Sequence, residues 1–324
     1  MSSRTGKLPA LLNALGPYLG LVLIITLFSL PAELRRTFLS GGNFKIIFIQ
    51  TVIVATGALG MTMIIISGGI DLGVGSTVAL TSVVGATLLL HGCPAPAAAA
   101  LTVLAGGLIG LLNGGIIAGL RMMPFIVTLG MMGIARGTAK WLANSQTVNP
   151  PDNPVNALMA MSEPDTLLPL PPAVWLTLAL AAAMSLVLRR TVFGRYVFAI
   201  GANEAAARLC GVRVRWQKVG IYTFAGLFFG LAGLLQLSRL TQGDPSIANG
   251  LELDMIAAVV IGGASLNGGT GSVSGSLIGA LIMAVLRNGS NQMGLETYMQ
   301  EIVIGAVIIF AVACDKLRHR GRPA

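Results

Sequence analysis

The sequence predicts an all-α protein integral to the membrane, with about ten transmembrane helices in one domain covering residues 1–324. Three observations carry this expectation. Hydrophobic residues make up 54% of the chain and charged residues only 10%, against about 25% charged in an ordinary soluble domain, so the chain needs lipid as its solvent. Apolar runs recur from the first fifty residues to the last twenty, and a hydrocarbon core of about 30 Å takes about 20 helical residues to cross. Glycine is abundant at 42 residues while aromatics are only 6%, a bias that suits membrane helices whose small side chains let backbones approach closely.

The runs can be taken in order. Residues 11–30 follow Arg4 and Lys7 in the layout of a signal peptide but lack a small-x-small cleavage site, so they read as a retained first span. Spans two to five follow at 46–66, 74–90, 95–120 and 125–142. The segment 143–172 is polar and rich in proline, cannot continue a helix, and is predicted to be an extracytoplasmic excursion. The sixth span is 173–188. Residues 189–218 then form the one substantial cytoplasmic loop, densely basic. Span seven is 219–240. The eighth, around 255–261, is short and is followed by Gly262 and Gly263, which predicts a broken or re-entrant segment of the kind transporters use. Spans at 272–286 and 302–313 complete the set.

Cytoplasmic loops retain Lys and Arg. With ten spans and a cytoplasmic N-terminus, the cytoplasmic side, which also holds the C-terminus, receives 14 of the 21 basic residues and three of the 12 acids. The opposite side receives seven bases and nine acids, among them Asp254. The formal charge of +9 therefore expresses topology and contact with lipid, not affinity for nucleic acid. Cys93, Cys210, Cys314, His91 and His319 are scattered, with no disulfide and no metal site predicted.

Two Gly-interrupted segments look alike. Gly68-Gly69-Ile70-Asp71-Leu72 followed by Gly75-Ser76 has a counterpart in Gly262-Gly263-Ala264-Ser265-Leu266 followed by Gly271-Ser272. Paired breaks of this kind point to a site near the bilayer midplane in repeat-built transporters. Asp71 is an acid at the edge of the hydrophobic region, where a carboxylate serves either function or the capping of exposed backbone N–H groups. Asn113, Thr128 and Asn267 are neutral hydrogen-bonders suited either to lining a path for a hydroxylated solute or to bonding between helices. Phe125 offers a stacking face, or simply faces lipid or core.

The basic loop carries the best local signal. Asn203 is a candidate N-cap, Glu204 places negative charge in the first turn, Arg208 follows at i+4, and Gly211 offers a stop. The short Ala-rich helix between them is too small to be stable alone and must pack on something. It either tiles the protein's own surface or inserts into a groove on a soluble partner.

The chain resembles the ribose-type sugar permeases of bacterial ABC importers, a superfamily that includes branched-chain amino acid permeases. In the second half the likeness runs through Gly194-Arg195-Tyr196, Ala199-Ile200-Gly201 with Asn203-Glu204-Ala205-Ala206, Gly211-Val212, and Gly226-Leu227 with Leu231-Ala232-Gly233. It continues through Glu252-Leu253-Asp254, Ile256 to Gly263, Ser265-Leu266, Gly268-Gly269 and Gly275 to Ala280. In the first half Ser67 to Leu72, Val74-Gly75-Ser76, Asn113-Gly114 and Pro124 to Met131 are similar to the family. Departures are Ala202, where a second glycine is usual, and the long excursion at 143–172.

This resemblance implies a type II ABC importer-like bundle in the bacterial inner membrane, acting as a pair with a second permease copy, identical or a sister chain. It implies an extracytoplasmic sugar-binding protein and an ABC ATPase subunit, the latter docked at Gly194, Arg195, Gly201, Asn203, Glu204, Ala206, Arg208 and Gly211. ATP and magnesium would belong to that ATPase, since no Gly-x-x-x-x-Gly-Lys-Ser/Thr loop occurs here, and no set of catalytic residues stands out. Asp71, Asn113, Phe125, Thr128 and Asn267 are the candidate path residues. An ion-coupled carrier, or the same importer role for an amino acid, are the competing expectations. The carrier usually places several acids or histidines mid-membrane, and here only Asp71 comes close.

Overall fold

The computed structural model of the protein describes residues 7–151, 154–158 and 170–319. Among these the backbone forms thirteen helices: α1 (Lys7–Ser29), α2 (Ala32–Phe38), α3 (Gly41–Ile66), α4 (Val74–Leu90), α5 (Ala95–Leu120), α6 (Pro124–Leu142), α7 (Pro172–Arg190), α8 (Val192–Ala202), α9 (Glu204–Leu209), α10 (Val214–Leu240), α11 (Leu251–Ile261), α12 (Val273–Gln292) and α13 (Thr297–His319). A single antiparallel bridge, Val148 to Gly243, is the one β-type pairing among the described residues. Each of the ten predicted stretches is helical. Five of the helices, α3, α5, α7, α10 and α12, are individually long and apolar enough to cross a membrane.

The packing order follows from which helices are apolar on all sides. Every residue of α3 from Val52 to Ile66 is buried, so α3 runs through the middle of the bundle with α7, α10, α11 and α12 around it. Outer helices instead present leucine to the surroundings: Leu19 and Leu23 of α1, and Leu104 and Leu108 of α5, are more than half exposed. In water such faces would be costly. In a bilayer they are the lipid contact.

The tightest pair is α5 with α10, and glycine makes it possible. Gly106, Gly110 and Gly114 recur every four residues on α5 and lie against Tyr222, Gly226 and Gly230 of α10. A Cβ on Gly110 would overlap the Tyr222 carbonyl, and one on Gly226 would overlap the Gly106 carbonyl. Here the backbones touch directly, which is how membrane helices gain dispersion contact without a hydrophobic drive.

One part differs from the sequence expectation. The basic segment 189–218 is largely helical: α8 precedes the short α9, starting at Thr191, whose hydroxyl accepts from the Gly194 N–H at 3.1 Å. Gly194, Val197 and Ile200 form its one buried face, a three-residue recurrence that hydropathy does not register. The eighth span is broken, as expected: α11 has eleven residues, about 16 Å at 1.5 Å per residue, and the chain loops through 262–272 before α12. The proline-rich excursion at 143–172 lies largely outside the described residues. Its described turn, Pro154–Leu158, is held by the Ser238 hydroxyl donating to the Val155 carbonyl at 2.7 Å.

Candidate functional site

The site begins with the short helix. The Asn203 side chain accepts from the Ala206 N–H at 2.9 Å, capping α9, and Gly211 takes φ +84° beyond its far end, a backbone region that only glycine enters cheaply. Glu204 bonds Arg208 at 2.9 Å and Lys218 of α10 at 2.7 Å, so the helix is tied to α10 by its first residue. Partial burial pushes the Glu204 carboxyl up, but the hydrogen bonds and charges of Lys218 and Arg208 outweigh it and hold the group below the ordinary carboxylate range. A carboxylate with a lowered folded value contributes stability above its ordinary range and loses it as pH falls through the lowered one. Amide-exchange protection of residues 204–209 should therefore be flat from pH 8 to about pH 5 and decline below about pH 4, near the reference carboxylate value.

Only Ala207 of α9 is buried, against Ile200, Val212 and Val214. The opposite face presents Ala205, Ala206 and Leu209, with Leu209 90% exposed and Trp216 of α10 70% exposed nearby in the chain. Beside this face lies a cavity of about 550 Å³ whose lining includes Arg121, Arg208, Arg213, Arg215 and Lys218. An apolar tip next to a basic hollow is thus offered outward at this end of the molecule. Arg195 is exposed on α8.

Gly201, near the end of α8, marks where this unit meets the bundle. A Cβ there would overlap the Ile66 carbonyl and lie 2.5 Å from the Gly269 nitrogen. The Gly269 N–H itself donates to the Ile66 carbonyl at 2.8 Å, so the break after α3 and the break after α11 are bonded to each other directly under α8. A Cβ on Gly268 would lie 3.0 Å from the Cα atoms of both Gly201 and Gly68.

The two breaks share one geometry. Gly68 N–H bonds the Ile65 carbonyl and Gly69 N–H the Ile64 carbonyl; Gly263 N–H bonds Val260 and Ala264 N–H bonds Val259. With φ +80° at Gly68 and +92° at Gly263, each helix ends in the same reverse-bonded left-handed cap. The structural equivalence pairs Gly68 with Gly263, one residue away from the register that matching the glycine pairs suggests.

Past the first break, Asp71 accepts from the Gly73 N–H at 2.8 Å and from Asn113 Nδ2 at 3.4 Å. Thr128 Oγ accepts from the Leu72 N–H at 3.2 Å. Asp71, Asn113 and Thr128 are all at most 2% exposed, so three of the five candidate path residues converge in one buried knot joining the break to α5 and α6. The other two lie apart: Phe125 is half exposed, and Asn267 sits in the second break, its N–H directed to Ser265 Oγ at 3.3 Å.

Comparison with known proteins supplies the family. The model described as the branched-chain amino acid transport system / permease component matches residues 43–312. The chain belongs to this permease family. It is 39% identical over 299 residues to the ribose import permease protein of Escherichia coli K12, covering 92% of this chain and 93% of that one. It is 34% identical over 311 residues to the L-arabinose ABC transporter permease protein of Azospirillum brasilense, covering 94% and 89%. It is also 34% identical over 301 residues to the fructose import permease protein of Rhizobium meliloti, covering 91% and 84%. No solved structure matches the chain significantly.

One ion pair of the permease joins residues far apart in the sequence. Asp254 and Arg287, both assigned to the extracytoplasmic side by charge sorting, pair between α11 and α12: Arg287 reaches Asp254 Oδ2 at 2.9 Å through Nε and 2.7 Å through Nη2. Asp254 is 3% exposed. Thirty-three residues separate the partners, so no local signal pairs them. Tyr222, whose hydroxyl lies against Gly69, and Leu209 are the other members that sequence reasoning passes over, because a single tyrosine or leucine carries no pattern.

Proposed function

We propose that this permease is the membrane subunit of an ATP-driven importer of a monosaccharide in the bacterial inner membrane. The relatives' names support the solute class: ribose, arabinose and fructose are all small neutral sugars. The single observation that carries the mechanism is α9, a surface helix anchored by Glu204, with an apolar face turned away from the bundle.

In this reading the end bearing α8 and α9 faces the cytoplasm, and both termini lie on that side. The Leu209 face seats in a groove of the ATPase, the basic hollow beside it complements acidic side chains, and ATP with magnesium is bound by that partner alone. Arg195 and Arg208 lie at the rim of the contact. Asn203, Ala206 and Gly211 shape α9, and Gly194 and Gly201 fit α8 to the bundle. Two permease copies share two ATPases, and an extracytoplasmic binding protein delivers the sugar. Nucleotide-driven closure moves α8 and α9 as a unit, and the Gly201 contact passes the movement to both helix breaks, biasing a two-state bundle.

Leu209→Asp tests this. The side chain is almost wholly exposed, so the substitution leaves membrane insertion and thermal stability unchanged. It places a charge where a partner pocket would have to desolvate it, and co-purification with the ATPase should fall by about a hundredfold, as for a hot-spot loss of about 2–4 kcal/mol. Undiminished co-purification would remove α9 from the interface and the importer mechanism with it.

A further inference from the structure

We infer that a polar cavity at the opposite end of α10 from α9 is a transit site for the solute, and that it takes a neutral polyhydroxylated molecule of monosaccharide size. This deepens the importer reading and rests on it. The cavity, of about 290 Å³, lies among α3, α10, α11, α12 and α13, and its polar lining includes Gln50, Gln236, Arg239, Asn249, Asp254 and Arg287. Its size is near the lower end of the range of about 300–1,000 Å³ for small-molecule pockets, which suits a single sugar ring and excludes an oligosaccharide.

Its unpaired atoms point to a ligand. Asp254 spends Oδ2 on Arg287, while Oδ1 is buried with no hydrogen-bond partner among the described residues. Gln50 Oε1 on α3 is buried and unpartnered in the same way. Leaving such an acceptor unmet costs about 1–3 kcal/mol, and both side chains belong to residues that line this cavity. Ionisable groups inside a membrane bundle are expensive, and they characteristically mark a solute path.

The chemistry of the lining selects the class. The orphaned groups are acceptors and need O–H or N–H donors, whereas Arg239 and Arg287 offer donors only. A hydroxyl does both, so a ring carrying several hydroxyls can satisfy the carboxylate and the guanidinium groups together. A free cation would meet the two arginines, and a free carboxylate would meet the lone acceptor of Asp254. None of the described lining residues is aromatic, so among them no stacking platform holds the sugar tightly, and a path that must release its cargo is better without one.

The test uses the whole importer, with its ATPase and binding protein, in proteoliposomes supplied with labelled D-ribose, L-arabinose or D-fructose. Gln236→Leu and Asn249→Leu remove lining polar groups without touching the ion pair. Each should lower uptake about tenfold, the worth of one good hydrogen bond to a bound solute, with ATPase co-purification unchanged. Uptake unchanged in both variants would overturn the site. A second measurement guards against misfolding: Asn249→Cys, in a chain whose Cys93, Cys210 and Cys314 are replaced by Ala, is alkylated with N-ethylmaleimide. Slower alkylation in the presence of the transported sugar supports the site; unchanged alkylation, or slowing by L-leucine and by none of the sugars, overturns it. Failure of the coupling mechanism would show separately, as a Leu209→Asp complex that still co-purifies.

Discussion

Gly226→Leu should leave almost no folded permease in detergent, while Gly115→Leu, on the facing α5 helix, should be neutral or slightly stabilising. At Gly226 the first added carbon already overlaps the Gly106 carbonyl and lies 2.9 Å from the Gly110 Cα. These are backbone atoms on a neighbouring helix and cannot rotate away, so α5 and α10 must separate along their length. Overpacking a core typically costs about 1–3 kcal/mol where side chains can shift, and here none can, so the loss should exceed that. Separation also withdraws α10 from α3 and α4, which it contacts extensively, and spreads the damage through the bundle. Gly115 meets nothing within 4 Å, and replacing a helix-interior glycine there gains about 0.5–1 kcal/mol of helix propensity. The measurement is the yield of monodisperse protein and its unfolding temperature. Equal losses for the two variants would mean that glycine serves helix flexibility in general and not this contact.

That contrast shows what is legible in the sequence. The ten helical stretches can be read because each is an apolar run, and hydropathy is a local sum. The short α9 can be read because capping is local too: Asn203, Glu204, Arg208 and Gly211 lie within nine residues of one another. The eighth span's break can be read from Gly262 and Gly263, since a left-handed helix end has a residue preference. α8 is missed because Gly194 and Gly201 lower its apparent helicity, and the reason for both glycines lies elsewhere in the fold, at the Leu188 and Ile66 carbonyls. The Asp254–Arg287 pair and the cavity beside it are missed because their residues come from five helices spread between positions 50 and 300. Charge sorting assigns an ionisable group to a side of the membrane and says nothing of which partner it meets there. Asp71, Asn113 and Thr128 are visible singly, but only the fold shows that they converge on one helix break.

The second large effect falls on Gly201. In Gly201→Ala the added methyl would overlap the Ile66 carbonyl, which is the acceptor of the Gly269 N–H bond joining the two breaks. Neither partner can yield without loss: moving Ile66 breaks that bond, and moving Gly269, whose φ is +76°, disturbs a turn that already needs glycine. α8 must therefore lift off the junction by the thickness of a methyl group, while the Leu209 face, on the far side of α9, is untouched. Under the coupling mechanism proposed above, the ATPase should still co-purify with Gly201→Ala and hydrolyse ATP, but ATP-driven uptake should fall by about a hundredfold, because motion of α8 no longer reaches Gly68 and Gly268 together. The same permease with Leu209→Asp should show the reverse order of loss, failing first to retain its ATPase. Uptake and hydrolysis that decline in parallel in Gly201→Ala would mean that the glycine junction only holds α8 in place. A complex in which uptake alone is lost would identify it as the point where force enters the membrane, since packing defects of about 1–3 kcal/mol lower both activities together unless the contact lies between them.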